Sequence, residues 1–290
     1  DWDLPADLDG PFELTSVLRQ LVQYLANDAR LSEFLPKAQE LLARMDAPLS
    51  LAIVGEFNAG KSTMVNALIG EDVLPMGVLP TTAHTGILRF GPRRAARINY
   101  IDGRRVEVGF DKAKTLMKTD AEDIDRLEFI YPHPTLRIVE YWDTPGFNAV
   151  NERHEEVASE ALAQAEAILW VMDASQVLSQ TEFELIDSVP DGAERLIVVI
   201  NKIDRLGDPA SRQDAVEELV EYVDDHIGEQ IAGCFPISAL QAQKGGKDAA
   251  SSGFDAFKTF LDERILQRAG RIKTVEVGRN VEAFLVTLDA

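Results

Sequence analysis

Gly55, four intervening residues, then Gly60, Lys61 and Ser62 give the stretch GEFNAGKST the pattern G-x-x-x-x-G-K-[ST]. Small residues let a backbone curl so that its N–H groups point inward at phosphate oxygens. The lysine supplies an ammonium for β- and γ-phosphates, and the serine hydroxyl is a hard oxygen ligand for Mg²⁺. The apolar run LSLAIV precedes the stretch and MVNALIG follows it. A buried strand should therefore deliver the chain to the loop, and a helix N-terminus should add partial positive charge beyond it. Glu56, Phe57, Asn58, Ala59, Gly60, Lys61, Ser62 and Thr63 are expected to cradle a nucleoside triphosphate.

Further along the chain, Asn201-Lys202-Ile203-Asp204 follows the apolar run LIVVI. A carboxylate at Asp204 can accept from the N1–H and exocyclic amine of guanine, whereas adenine presents the opposite polarity, so the site should select guanine. Lys202 can lay its stem along the base, and Asn201 can tie this loop to the phosphate loop. Ser238 and Ala239 follow the next strand, where a backbone N–H can meet the guanine O6. Asp143-Thr144-Pro145-Gly146 ends the run LRIVEYW. Asp143 is expected to hold Mg²⁺ through a water, and the Gly146 N–H to meet the γ-phosphate. Between these motifs lies LPTTAHTG. A threonine there should give Mg²⁺ a second protein oxygen and position the attacking water. Thr82 is favoured over Thr81 and Thr85. His84 reads as a solvated loop histidine in preference to a catalytic base.

These groups need a scaffold. Short apolar runs recur at LSLAIV, LRIVEYW, AILWVMDA, LIVVI and CFPIS, with helical stretches at 62–68, 155–165, 181–188 and 213–226. That alternation predicts a three-layer α/β fold around a parallel sheet. The runs TGILRF, AARINYI, RVEVGF and DRLEFIYP add strands between Thr85 and Asp143, part of them antiparallel. Residues 12–45 read as helix, with Ser32 as N-cap of its second part, and 255–268 read as helix too. A last helix from Ile272 should carry Val275, Val281, Phe284, Leu285 and Leu288 on one side. Residues 244–253, KGGKDAASSG, read as a flexible loop.

The 290 residues are 46% hydrophobic and 27% charged, enough to bury a core. The net charge of −20 disfavours nucleic acid and anionic lipid in the absence of a dense basic run. One cysteine, Cys234, cannot build a disulfide framework, so a reducing compartment is the default. The apolar runs are too short to span a bilayer. The chain opens at Asp1 and its last helix reaches Ala290 without a stop signal, as expected of a piece of something longer.

GEFNAGKST, PTT, DTPG, NKID and SAL, in that order, resemble the GTP-binding P-loop superfamily. Phe147 stands where small signalling GTPases place a water-orienting glutamine, so catalysis must draw on backbone groups, a bound cation or a partner. With the long 85–143 segment and the flanking helices, the chain looks like the dynamin superfamily, most like bacterial dynamin-like proteins. That resemblance implies an α/β three-layer P-loop NTPase fold (a dynamin-type GTPase domain, 47–268) with helical hinge-bundle segments at 1–46 and 269–290. It implies GTP as substrate and GDP as product, Mg²⁺, and a monovalent cation (K⁺ or Na⁺) held at Asn58, where eukaryotic dynamins carry serine. The lysine that follows DxPG in eukaryotic dynamins is missing here. It further implies G-domain dimers, a higher oligomer of the full-length chain, and a cytoplasmic protein peripheral to a membrane that it touches through other segments. The expected reaction is in-line attack of water on the γ-phosphate, with Lys61 and Mg²⁺ neutralising charge and Thr82 and Gly146 positioning the water. Two other readings fit fewer features: an Era-like RNA-associated GTPase, which usually carries a basic appendage, and a GTP-dependent scaffold with little turnover.

Overall fold

The computed structural model describes residues 11–76, 84–119, 121–146, 160–189, 192–208, 211–245 and 249–288. Among these, nine strands form one sheet in the order β4-β3-β5-β2-β6-β1-β7-β8-β9. The strands are β1 (Leu49–Val54), β2 (Thr85–Phe90), β3 (Ala95–Tyr100), β4 (Arg105–Val108), β5 (Ile124–Tyr131), β6 (Val139–Asp143), β7 (Ala167–Asp173), β8 (Leu196–Asn201) and β9 (Gly233–Pro236). The half from β6 to β9 is parallel, as continuous apolar runs demand of strands covered on both faces. Beyond β6 the sheet turns mixed: β2 is antiparallel to β6 and parallel to β5, and β3 is antiparallel to β4 and β5.

Strand alternation divides the core. Leu49, Leu51 and Ile53 of β1 face one cluster, and Ala52 and Val54 face the other. The main helices are α1 (Pro11–Asn27), α2 (Leu35–Asp46), α3 (Lys61–Ile69), α4 (Phe110–Leu116), α5 (Gln180–Asp187), α6 (Arg212–Ile227), α7 (Ala239–Lys244), α8 (Phe254–Phe260) and α9 (Ala269–Leu288). Met64, Val65 and Leu68 of α3 and Phe254 and Phe257 of α8 fill the first cluster, while Ile186 of α5 and Val223 and Ile227 of α6 fill the second.

A third core joins the two ends of the chain. Leu14, Leu18, Leu21 and Leu25 of α1 pack with Ala38 and Leu41 of α2 and with Val277, Val281 and Phe284 of α9. This bundle is fastened to the sheet by buried charge. The Lys273 ammonium donates to both Glu166 oxygens at 2.8 and 2.9 Å and to the carbonyls of Arg44 at 2.8 Å and Pro48 at 3.2 Å. Glu166 also accepts from the Ser50 N–H of β1 at 2.8 Å. Burial lowers the Lys273 pKa, and the Glu166 charge opposes that shift.

Several local expectations are corrected. Ser32 does not cap α2: its hydroxyl donates to Ala29 O at 2.9 Å to close a short 3₁₀ turn, and Phe34 is the cap residue. Val275 is exposed, because the buried side of α9 runs through Lys273, Val277, Val281 and Phe284. RVEVGF yields its last residue to α4, which the sequence reading did not contain. Leu136 and Arg137 of LRIVEYW belong to a 3₁₀ turn before β6. The stretch 255–268 holds a π-helical turn over Leu261–Leu266.

Candidate active site

The phosphate loop runs from the end of β1 to the start of α3. Gly60 sits at φ +101°, a left-handed conformation that glycine adopts freely, and a Cβ there would lie 2.4 Å from the Asn201 amide nitrogen. Gly60 thus lets the loop turn sharply into α3 and lie against β8. Asn58 also takes a positive φ, +64°, and its side chain is exposed.

The Lys61 ammonium, 7% exposed, donates to the carbonyls of Gly55 and Glu56, both at 2.9 Å. Burial pushes its pKa down to about 8, and the negative charges of Asp143, Glu182 and Glu56 pull it back up. The Ser62 hydroxyl donates to Asp143 Oδ2 at 2.6 Å. Asp143 is fully buried, and burial pushes its carboxyl up to about 6. Its second oxygen, Oδ1, has no hydrogen-bond partner. A buried carboxylate oxygen without a partner, beside a hydroxyl, fits a hard divalent cation such as Mg²⁺. Among the described residues no group of three or more His, Cys, Asp or Glu could hold a metal. Ser62 and Asp143 are the described residues that would hold such an ion.

The DTPG turn presses on the loop from the neighbouring strand. The Thr144 hydroxyl donates to Ile53 O at 2.9 Å. A Cβ on Gly146 would fall 2.6 Å from Phe57 Cα and 2.7 Å from Phe57 N, so the two backbones meet where only glycine fits.

At the end of β8, the Asn201 amide donates to Ala59 O at 2.8 Å, and its carbonyl accepts the Ala239 N–H at 3.0 Å. One side chain thereby joins the phosphate loop to the SAL turn. Lys202 lies at φ +69° and donates to Asp173 Oδ2 at 2.6 Å and to the Asn58 carbonyl. Asp204 is half-buried in a 3₁₀ turn, with its backbone carbonyl accepting from Arg212 at 3.2 Å. Ser238 is fully buried and caps α7 by accepting the Gln241 N–H at 3.2 Å. Thr63 is half-buried in the first turn of α3.

Thr81, Thr82 and Phe147 lie outside the described residues. Thr85 opens β2. His84 corrects an expectation: it is 3% exposed, and its Nε2 meets Thr119 O at 2.9 Å and the Ala121 N–H at 3.3 Å. Thr119 and Ala121 hold it in place, so it is not a solvated loop side chain.

The sequence reading also passed over Ser179 and Glu182. Ser179 caps α5 in a reciprocal capping box with Glu182, whose other oxygen accepts the buried Trp170 indole N–H at 3.1 Å. The S-x-x-E spacing at 179–182 is the local signal for it. The Ser179 hydroxyl also donates to Glu56 of the phosphate loop at 2.6 Å.

A sequence model described as the Dynamin family matches residues 51–203, from β1 to the NKID turn and over half of the chain. The chain belongs to the dynamin family. GTP hydrolysis is the family's chemistry, and this dynamin-family chain carries the GTPase domain. It is 25% identical over 236 residues to the probable transmembrane GTPase FZO-like of Arabidopsis thaliana chloroplasts, covering 81% of this chain and 24% of that protein. It is 28% identical over 184 residues to dynamin-like protein A of Bacillus subtilis, covering 60% of this chain and 15% of that one. To a bacterial dynamin-like protein of Nostoc punctiforme it is 31% identical over 186 residues, covering 58% and 27%. This dynamin-family chain thus spans about a quarter or less of each of these relatives. A solved oligomerised bacterial dynamin pair shares its fold, with a TM-score of 0.67 at 20% identity, covering 96% of this chain and 44% of that one.

Proposed function

We propose that this chain is the GTP-hydrolysing head of a dynamin-like mechanochemical protein, in which nucleotide-dependent pairing of heads drives membrane remodelling. The observation that carries the reading is the convergence of Lys61, Ser62 and Asp143 behind the Gly60 turn, with Asn201 binding that loop to the strand end that bears Asp204. The amides from Glu56 to Thr63 wrap the β- and γ-phosphates, and Lys61 moves its ammonium from loop carbonyls to phosphate oxygens. Ser62 and Asp143 hold Mg²⁺, with Thr82 as a further ligand. Bound Mg²⁺ supplies positive charge to the phosphate oxygens as negative charge develops on them. Asp204 accepts from the guanine edge, Lys202 covers the base, and the Ala239 turn after Ser238 meets O6. Thr82 and the Gly146 N–H orient the attacking water. Asn58, exposed at the loop's tip, offers a carbonyl oxygen to K⁺ or Na⁺.

Self-association is supported by the fold shared with an oligomerised bacterial dynamin pair, a structure described as a mechanism for the long-range sensing and tethering of membranes. No helix among the described residues is long and apolar enough to cross a membrane. We assign membrane contact to segments beyond these 290 residues, and place the head in the cytoplasm, peripheral to the membrane, as the likeness to longer bacterial dynamin-like proteins suggests. The three-helix bundle of α1, α2 and α9 is the unit that would transmit head movement. Its division from the head at 1–46, 47–268 and 269–290 belongs to this proposal.

GTP turnover measured across protein concentrations, with Mg²⁺ and with K⁺, Na⁺ or neither, tests the reading. A specific rate that climbs with concentration supports pairing. A rate independent of concentration argues against it, and GTP uptake with negligible turnover under every salt would favour a scaffold.

A further inference from the structure

Residue 56 is a junction of three parts of the site. Its carbonyl accepts the Lys61 ammonium at 2.9 Å. Its backbone, with that of Phe57, is the surface on which Gly146 rests, since a Gly146 Cβ would lie 3.1 Å from the Glu56 carbonyl carbon. Its carboxylate reaches sideways to α5, where Glu56 Oε1 accepts the Ser179 hydroxyl at 2.6 Å.

That arrangement is not what main-chain phosphate binding alone would require. An alanine or glycine at position 56 would offer the same N–H without adding a negative charge beside a triphosphate, and like charges at close range repel. The carboxylate is engaged by the α5 cap through a short hydrogen bond, 2.6 Å from the Ser179 hydroxyl. Its partner is set with unusual care. Leu178, immediately before Ser179, has φ +50°, a left-handed conformation that a bulky side chain rarely takes. Backbone strain of this kind persists where surrounding contacts over-determine it. Ser179 in turn accepts the Glu182 N–H at 3.3 Å while its own N–H donates to Glu182 Oε2 at 3.2 Å. Glu182 is anchored by the buried Trp170 indole. The chain of bonds runs from a rigid strand, β7, through the α5 cap, to the phosphate loop.

We propose that Glu56 is a positioning residue: through Ser179, its side chain fixes the phosphate loop in the curvature that a triphosphate needs, before nucleotide arrives. The inference rests on the reading of Gly55–Thr63 as a nucleotide cradle. It concerns the side chain of residue 56, whereas the cradle uses its main chain. With the bond cut, the loop at Glu56 keeps its backbone bonds, among them the Ala59 N–H to Glu56 O at 3.2 Å, and loses the side-chain anchor that ties it to α5.

The test uses the full chain as wild type, Glu56→Ala, Glu56→Gln, Ser179→Ala and the Glu56→Ala/Ser179→Ala double variant. Each is titrated with a fluorescent GDP analogue at fixed Mg²⁺, and nucleotide-free thermal midpoints are recorded alongside. Glu56→Ala and Ser179→Ala should each weaken GDP binding about tenfold, which converts to about 1.4 kcal/mol. The double variant should bind no more weakly than Ser179→Ala, since both singles remove the Glu56–Ser179 bond, while the α5 cap that Ser179→Ala also removes lowers the thermal midpoint. Glu56→Gln, whose carbonyl still accepts the Ser179 hydroxyl, should bind within about threefold of wild type. A merely structural role would lower the thermal midpoints and leave affinity unchanged. Should Glu56→Ala not fold, Ser179→Ala compared with Ser179→Thr reads the same bond from its other end. Affinity of Glu56→Ala within about twofold of wild type, or single effects that multiply in the double variant, overturns the proposal while the cradle stands. Wild-type protein that takes up no GDP overturns both.

Discussion

Lys273 and Glu166 form a buried ion pair, with the ammonium 2.8 and 2.9 Å from the two carboxylate oxygens, and it fastens the terminal helical bundle to the sheet. Removing Lys273 leaves the buried Glu166 carboxylate with the more distant Arg44 guanidinium, at 3.6 Å, as its counter-charge, which is costlier than removing both partners. Lys273→Ala should therefore lose about 3–5 kcal/mol of stability in urea unfolding. Lys273→Met combined with Glu166→Gln should recover much of that, because glutamine still accepts the Ser50 N–H. Equal losses in the single and double variants would show that the ion pair is not what holds this junction.

Lys61→Ala should abolish detectable guanine nucleotide binding, read by calorimetry with Mg²⁺ present. The variant removes the ammonium that the pocket buries beside Asp143. Ser62→Ala should instead keep GDP affinity at low Mg²⁺ but lose most of the gain that Mg²⁺ brings, roughly tenfold or more. A Ser62→Ala protein with an unaltered Mg²⁺ response would remove Ser62 from the metal assignment.

Base choice should rest on Asp204. Asp204→Asn presents a donor where guanine needs an acceptor, so competition between GTP and xanthosine triphosphate should swing toward the latter by about 100-fold or more. An undiminished preference for GTP would mean that the guanine edge is read elsewhere.

Glu182 makes stability depend on pH. Burial raises its carboxyl to about 7 from an ordinary value of 4.5. Between those values the folded protein keeps a proton that the unfolded chain has released. The contribution is complete below about pH 4.5 and disappears as pH climbs through about 7, a span worth about 3 kcal/mol. Glu182→Gln keeps acceptor capacity for Trp170 and removes the titration, so the stability gap between variant and wild type should widen in the variant's favour from pH 5 to 8. Parallel urea midpoints across that range would contradict the assignment.

How much of this was readable from residues alone depends on how local the encoding is. The phosphate loop, the DTPG turn and the NKID turn are each contiguous in sequence, and each follows a run whose composition favours a strand. Their types, order and scaffold were legible together. The Glu56–Ser179 bond joins positions 123 apart, and neither residue type marks it in advance. The expected side of α9 holds at Val281 and Phe284 and fails at Val275, because the buried Lys273, a residue type that ordinarily marks a helix's wet side, directs the first turns of that face away from it. His84 misled because its pairing with Thr119 and Ala121, 35 and 37 positions away, is a tertiary event. The antiparallel turn of the sheet beyond β6 was anticipated in kind, whereas the strand order around it was set by pairings that no single strand encodes.

The bundle built from both chain ends has a consequence for biosynthesis. The Arg44 carbonyl and the Lys273 ammonium that meets it are 229 positions apart. On the ribosome α1 and α2 emerge long before α9, so the apolar stripe of Leu14, Leu18 and Leu21 waits for its Val277, Val281 and Phe284 partners. At about 5–20 residues per second, that wait lasts on the order of ten seconds or more. The nascent chain is then sticky at α1 and α2, and a holdase that shields these two helices should raise the yield of folded protein.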